Sequence, residues 1–244
     1  LQGERVDFTG QVNNYKNAAA QIGNLLGGNN NSTAGKYLGK CIFFIAIGSN
    51  DYINNYFQPL FYTTGSKYSP ESYAGLLIQK FADQLMTLHK YGARKFAMVG
   101  VGPIGCSPNM LAQYSADGAT CVQKVDSTIE IFNGKLIELI DRLNSNLSDS
   151  KFTYINVGGI FQEILDNPIG FGFKVANAGC CGLGRNRGLV TCLPHQPPCR
   201  NRDEYLFWDA FHPTEAVNTI IARRTYAAEK ETDAYPVDVR RLAL

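Results

Sequence analysis

The chain has 244 residues, of which 45% are hydrophobic and 18% are charged, a balance that supports a globular protein with a substantial core. Its net charge of +2 is scattered along the sequence, so composition gives no reason to expect nucleic acid or an anionic membrane surface as a partner. No apolar stretch reaches the roughly 20 residues of a membrane span, and the first five residues are not typical of a signal peptide. We expect residues 1–244 to form one domain.

A helix and a strand are predicted first. Apolar residues recur at steps of three and four along residues 8–27, and the pair Gly27 and Gly28 provides a stop, which predicts an amphipathic helix. Residues 41–47 form an unbroken apolar run that predicts a strand buried on both faces, as in a parallel sheet. Ligands of open parallel sheets bind beyond the carboxyl ends of the strands, so Asn50, in the Gly-Ser-Asn-Asp run that follows, is a candidate site residue.

Residues 52–68 hold six aromatic side chains in a loop-like stretch that also contains Pro59 and Gly65. Two interpretations remain open: an ordinary packed loop, or one wall of a substrate pocket just past Asn50.

The middle of the chain predicts alternating helices and strands. Long amphipathic helices are expected at residues 69–91 and 122–147, strands at 95–99 and 152–157, and a short helix at 160–166. A strand, helix, strand order implies parallel pairing with right-handed crossovers. These elements predict an α/β fold, a three-layer α/β/α sandwich around a parallel sheet.

Residues 100–105 fit the pattern G-x-G-x-x-G, which is typical of dinucleotide-binding proteins. That fingerprint requires its third glycine inside a helix whose N-terminus binds the pyrophosphate. Pro103 and Pro108 interrupt any such helix, so we do not predict a nucleotide cofactor.

Six of the seven cysteines lie in glycine- and proline-rich connections, which indicates disulfides and an oxidising compartment. We predict that Cys106 pairs with Cys121 and that adjacent Cys180 and Cys181 reach Cys192 and Cys199 in one of two arrangements, because vicinal cysteines rarely bridge each other. Cys41, in the predicted buried strand, is expected to stay a reduced thiol. A zinc site is the alternative, but the cysteine spacing suits it poorly, and no metal is predicted. The segment 170–202 is expected to be a disulfide-held loop near the active face.

Asp209 precedes His212 by three residues, ahead of a predicted final helix over residues 214–229. A carboxylate that accepts from one imidazole nitrogen fixes the tautomer and lets the other nitrogen move a proton. The alternative is a capping aspartate beside a surface histidine. Pro213 suits the first helical position, and the polar tail after residue 229 carries no further signal.

The Gly-Ser-Asn-Asp run after a strand and the Trp-Asp-x-x-His-Pro run before the last helix together resemble two conserved blocks of the GDSL-type esterases, the SGNH hydrolases, and in particular their secreted plant branch. The resemblance implies a flavodoxin-like five-stranded fold and a carboxylic ester hydrolase that needs no cofactor. It makes His212 the catalytic base, Asp209 its orienting acid, and Asn50 a donor to the oxyanion hole. The implied partner is a small-molecule or lipid acyl ester.

The block that carries the family's nucleophilic serine, a Gly-Asp-Ser motif, does not occur in these residues. We therefore expect a member that lacks its N-terminal strands, with two βα units of about 30 residues each and a signal peptide of about 15 to 30 upstream. The alternative is a catalytically inactive relic or binding protein of the same fold. Secretion agrees with three glycosylation sequons, at Asn30, Asn31 and Asn146.

Overall fold

The computed structural model describes residues 5–26 and 31–244, without the side chains of residues 31 and 32. The helices are α1 Phe8–Leu25, α2 Asn31–Leu38, α3 Ser49–Asp51, α4 Thr64–Lys67, α5 Pro70–Lys90, α6 Pro108–Tyr114, α7 Gln123–Asn146, α8 Val157–Asp166, α9 Glu215–Tyr226 and α10 Val239–Ala243. The strands are β1 Ile42–Ile45, β2 Lys95–Val99, β3 Lys151–Ile155, β4 Val175–Gly179, β5 Tyr205–Phe207 and β6 Ala234–Tyr235. The long predicted helices are confirmed within two residues; the glycine stop predicted after α1 and the sequon at Asn30 lie outside the described residues.

The main sheet has the order β1-β2-β3-β6. β1, β2 and β3 pair in parallel, as predicted, whereas β6 pairs antiparallel with β3 through Ala234 and Ile155. The expectation of a parallel sheet was therefore wrong at its last strand, which lies in the tail where the sequence carried no signal. A two-residue strand is too short to show the period-2 pattern that identifies strands in a sequence.

The two faces of the sheet bury different layers. Phe96 and Met98 of β2 point into the large core beneath α5 and α7, while Ala97, between them, joins a smaller cluster that includes Leu242 of α10. This alternation follows from the period of two along a strand. Helices thus cover both faces, and the predicted three-layer α/β/α arrangement is confirmed.

β1 is an edge strand among the described residues, which corrects the prediction of burial on both faces. Only β2 pairs with it, and the Phe44 side chain is 59% exposed. Cys41 is a free thiol, as predicted, but it lies one residue before β1 and is only half-buried rather than in a strand core. An apolar run in a sequence shows that its residues can be buried. It does not show which other elements will cover them.

The aromatic stretch after Asn50 is mostly packed rather than pocket-lining. Tyr52 and Tyr56 lie in a π-helical segment, Tyr52–Tyr56, and are buried in the large core. The Tyr52 ring meets Phe132 edge-on at a centroid distance of 5.9 Å. None of the six aromatic side chains lines the cavity described below, which favours the packed-loop interpretation for them, although Ile53 and Asn54 of the same stretch do line it.

Segment 170–202 is more ordered than predicted, because it contains β4, which pairs in parallel with β5 to form a second, two-stranded sheet. Its cysteines bond as Cys180–Cys199 and Cys181–Cys192, which selects one of the two predicted arrangements. The predicted bond Cys106–Cys121 is also present and closes the turn after β2. Crosslinks of this loop length stabilise by about 3 kcal/mol, chiefly by restricting the unfolded chain.

Candidate active site

Asp209 and His212 lie on a tight turn between β5 and α9. The turn doubles the chain back along β5: the Trp208 amide donates to the His212 carbonyl at 2.7 Å, and the Thr214 amide donates to the Leu206 carbonyl at 2.9 Å. Thr214 is the N-cap of α9, so Pro213 precedes the helix and bridges to Phe207 instead. The prediction that Pro213 is the first helical residue was wrong, because the backbone there still follows the strand.

The Asp209 carboxylate holds this turn and the imidazole together. Its Oδ1 accepts from the backbone amides of Phe211 and His212, both at 2.8 Å, and the His212 Nδ1 lies 2.9 Å from Oδ2. With Nδ1 donating to the carboxylate, Nε2 is the ring nitrogen that can take up a proton. The interpretation of Asp209 as a mere cap is thus incomplete, since it accepts both from the turn and from the ring.

The two groups shift each other's pKa in the direction that favours an ion pair. Burial by itself would raise the pKa of Asp209, but the hydrogen bonds from the His212 ring and from the His212 and Phe211 amides outweigh it and lower the pKa to about 2. The hydrogen bond to Asp209 raises the pKa of His212, against the opposing effect of burial. His212 is therefore a stronger base than an isolated histidine.

Thr191 makes a contact with Asp209 that no pattern in the sequence predicts. Its hydroxyl donates to Asp209 Oδ2 at 3.3 Å, and its neighbour Cys192 is bonded to Cys181. The crosslinked segment thus contacts the acid of the pair directly, in keeping with the expectation that it lies near the active face.

Asn50 is presented by the turn between β1 and the π-helical segment. Gly48 has φ +132°, and a Cβ there would approach Val101 and Phe132 to 3.1 and 3.2 Å, so the turn requires glycine. The Asn54 amide donates to Asn50 Oδ1 at 2.8 Å. With its oxygen occupied, the exposed Asn50 side chain offers its NH₂ group as a donor.

One cavity of about 780 Å³ brings Asn50 and His212 together, although 162 positions separate them in the chain. Its wall is largely apolar and includes Phe44, Phe161 and Phe211. Among the described residues, the serines on this wall are Ser49 and Ser107, and neither forms a hydrogen bond with His212. The Ser107 hydroxyl instead accepts from the Met110 amide at the start of α6.

Local structure accounts for the cysteines near Asp126 and for the G-x-G-x-x-G turn. Cys106, Cys121 and Asp126 place potential ligand atoms within 4.8 Å of one another, but both sulfurs belong to a disulfide and so cannot act as thiolate ligands. Gly105 lies in a three-residue 3₁₀ helix, Ile104–Cys106, rather than inside a long helix. No described helix is long and apolar enough to cross a membrane.

The Asp209–His212 pair predicts a specific titration. We expect the His212 pKa to lie above 6.5 and to fall towards that value in Asp209→Asn, because the neutral amide removes the charge that stabilises imidazolium. The raised histidine pKa means that the His212 contribution to stability is complete below pH 6.5 and is lost as pH rises through the folded pKa, whereas the Asp209 contribution is present above pH 3.8 and is lost as pH falls towards about 2. Histidine NMR titration measures the His212 pKa in the parent and in the variant. An unchanged pKa in the variant would contradict the coupling.

Comparison with known proteins agrees with this geometry. The family model for GDSL-like lipase/acylhydrolase matches residues 2–225. Two GDSL esterase/lipases of Arabidopsis thaliana are 55% and 56% identical over 241 residues, 99% of this chain and 66% of each relative, and a third is 42% identical over 244 residues, 62% of its length. The chain thus spans slightly less than two thirds of the relatives it matches. It belongs to the GDSL-like lipase/acylhydrolase family.

Proposed function

We propose that this chain carries the base, the orienting acid and one oxyanion donor of a carboxylic ester hydrolase, with the nucleophilic serine in a segment outside these 244 residues. The observation that carries the proposal is that His212, hydrogen-bonded to Asp209, lines the same cavity as Asn50. The relatives are named as esterase/lipases, and these names support the reaction class.

The chemistry is acyl transfer through an acyl-enzyme. His212 Nε2 removes the proton from the serine hydroxyl as the oxygen attacks the ester carbonyl, and it later returns that proton to the leaving alcohol. Asp209 keeps Nδ1 protonated and stabilises the imidazolium that forms. A water then attacks the acyl-enzyme with His212 as base, which releases the carboxylic acid and restores the serine.

Asn50 would donate from its side-chain NH₂ to the oxygen of the tetrahedral intermediate, where negative charge develops. Its Oδ1 already accepts from Asn54, so the amide is oriented before substrate binds. Removal of one such donor in comparable enzymes lowers turnover by about 10²- to 10³-fold.

The substrate class follows from the wall of the cavity. A largely apolar surface suits the acyl chain of an ester, and apart from His212 the described residues that line it carry no charged side chain to recognise a charged acyl end. Three disulfides support a secreted protein, since such bonds persist in oxidising compartments. Asn146, the last residue of α7, is exposed and accessible to glycosylation, whereas the side chain of Asn31 lies outside the described residues.

An inactive relic or binding protein of the same fold is the second candidate, favoured by one observation: no Gly-Asp-Ser occurs in the sequence. Such a protein would keep the cavity and bind acyl esters without cleaving them.

A hybrid protein separates the two candidates. The portion of the 55%-identical relative that this chain does not match is joined ahead of residue 1, and hydrolysis of p-nitrophenyl butyrate is compared for the hybrid, the 244-residue chain and the intact relative. We expect the hybrid to be active and the chain alone to be inactive. Turnover by the chain alone would place the nucleophile within it, and a folded but inactive hybrid would favour the binding protein.

A further inference from the structure

A second concave surface lies at the amino ends of β2 and β3, whereas the carboxyl end of β2, at Val99, lines the cavity of the candidate active site. This surface, the basic cleft, has a volume of about 570 Å³. The charged side chains that line it are Lys36, Lys40, Arg94, Lys95, Asp149 and Lys151.

Positive charge in the basic cleft is largely uncompensated. Five cations and one carboxylate give it a net charge of +4, twice that of the whole chain. The carboxylate, Asp149, is already engaged by Arg94 Nε at 2.8 Å and by His89 Nε2 at 3.0 Å. Lys36, Lys40 and Lys151 form no side-chain hydrogen bond or ion pair with any described residue.

The sheet register forces two of these cations together. Lys95 and Lys151 are directly paired on the neighbouring strands β2 and β3, so their side chains leave the same face of the sheet. Like charges in paired positions destabilise a sheet. Lys95 donates to the carbonyl of Ala243 in α10, a neutral group that leaves the repulsion in place.

Glycine keeps the cleft open on its other side. Gly35 lies inside the eight-residue helix α2, where glycine is less favourable than alanine. A Cβ at this position would meet no atom within 4 Å, so sterics do not demand glycine, and a longer side chain would extend into free space. Lys36 lies in the last turn of α2, where a positive charge interacts favourably with the helix dipole. The helix dipole does not explain why Lys95 and Lys151 are paired.

We propose that the basic cleft binds a soluble anion that carries two or more phosphate groups, at a site separate from the esterase cavity. Phosphate oxygens accept from several ammonium groups at once, and each group brings up to two negative charges. Such a ligand would neutralise Lys36, Lys40 and Lys151 together and relieve the repulsion between Lys95 and Lys151. None of the residues that line the basic cleft takes part in the proposed ester hydrolysis.

Calorimetric titration of the 244-residue chain with pyrophosphate at low ionic strength tests the proposal. We expect saturable binding that the double variant Lys36→Gln/Lys151→Gln weakens by about tenfold or more, since each exposed charge contributes on the order of 1 kcal/mol. The matched control Lys80→Gln/Lys124→Gln removes the same charge from exposed positions on α5 and α7 that do not line the cleft, and it should bind as the parent does.

A second variant keeps the test meaningful if the first is unstable. Lys151→Glu should abolish pyrophosphate binding while raising the melting temperature, because it sets opposite charges in the Lys95 pair. Equal weakening by the control variant, or no saturable binding by the parent, would overturn the proposal. Vesicles of equal parts phosphatidic acid and phosphatidylcholine distinguish the source: binding to them without binding to pyrophosphate would assign the cleft to a lipid surface instead, and overturn the proposal as well.

Discussion

Replacing His212 with alanine in the hybrid esterase is expected to lower kcat by roughly 10⁴-fold or more, as loss of the base does in other serine hydrolases. Without the imidazole, no other imidazole and no carboxylate among the described residues that line the cavity would accept the serine proton. The measurement is steady-state hydrolysis of p-nitrophenyl butyrate.

Two observations make this loss separable from unfolding. The His212 side chain is 74% exposed, so its removal leaves no large cavity and should change the melting temperature little. His195→Ala is the matched control, because His195 lies in the crosslinked segment and does not line the cavity. Near-parental turnover in His212→Ala would remove His212 from the mechanism, and a comparable loss in His195→Ala would point to a general effect of losing a histidine.

The parts of the fold that sequence predicted are those with long or repeated signals. α5 and α7 run for 21 and 24 residues, enough for the helical period to be read several times, and Ser69 caps α5 where Pro70 begins it. β2 and β3 were recognisable as short apolar runs between helices. Candidate site residues were found from two short motifs, and the structure brings His212 and Asn50 to one cavity.

What sequence could not predict depends on contacts between distant segments. β4 and β5 pair although the segment of chain between them holds two disulfides. β4, with the sequence Val-Ala-Asn-Ala-Gly, contains a single β-branched residue and so lacks the composition typical of a strand. Phe44 is exposed at the wall of the cavity rather than packed in the core, and no local pattern shows that placement. Thr191, next to the crosslinked Cys192, reaches Asp209 across 18 positions of the chain.

The tail after α9 is the clearest case, since it was expected to carry no signal yet contains the most deeply buried ion pair described. Arg224 of α9 is 2% exposed and Asp233 1%. The Arg224 Nε donates to Asp233 Oδ2 at 2.9 Å, and its Nη1 donates to Glu163 of α8 at 2.9 Å. Asp233 Oδ2 also accepts from the backbone amides of Glu229 and Lys230. The network thus joins α8, α9 and the segment that leads into β6.

The substitution Asp233→Ala is therefore expected to lower the free energy of unfolding by about 3–5 kcal/mol. It would leave a buried guanidinium, which does not deprotonate, with Glu163 as its remaining charged partner, and would also strand two backbone amides. Burial would raise the pKa of Asp233, but the hydrogen bonds from Arg224 outweigh burial and lower that pKa. The stabilisation is therefore present above the unfolded pKa of 3.8 and is lost as pH falls through the folded pKa. Urea unfolding monitored by circular dichroism gives the free-energy change.

The adjacent pair Arg223–Glu229 is the matched control for burial. Its nitrogen and oxygen are 2.9 Å apart, the same separation as in the buried network, but its side chains are 67% and 49% exposed. Because water screens exposed charges, Arg223→Ala should lower the free energy of unfolding by at most about 1 kcal/mol. Arg224→Met should lie between the two, since Asp233 would keep its backbone donors and could protonate. If Asp233→Ala proved no more damaging than Arg223→Ala, the tail would not be held by its buried charges, and the apolar contacts of Ala234 and Leu242 would have to hold it instead.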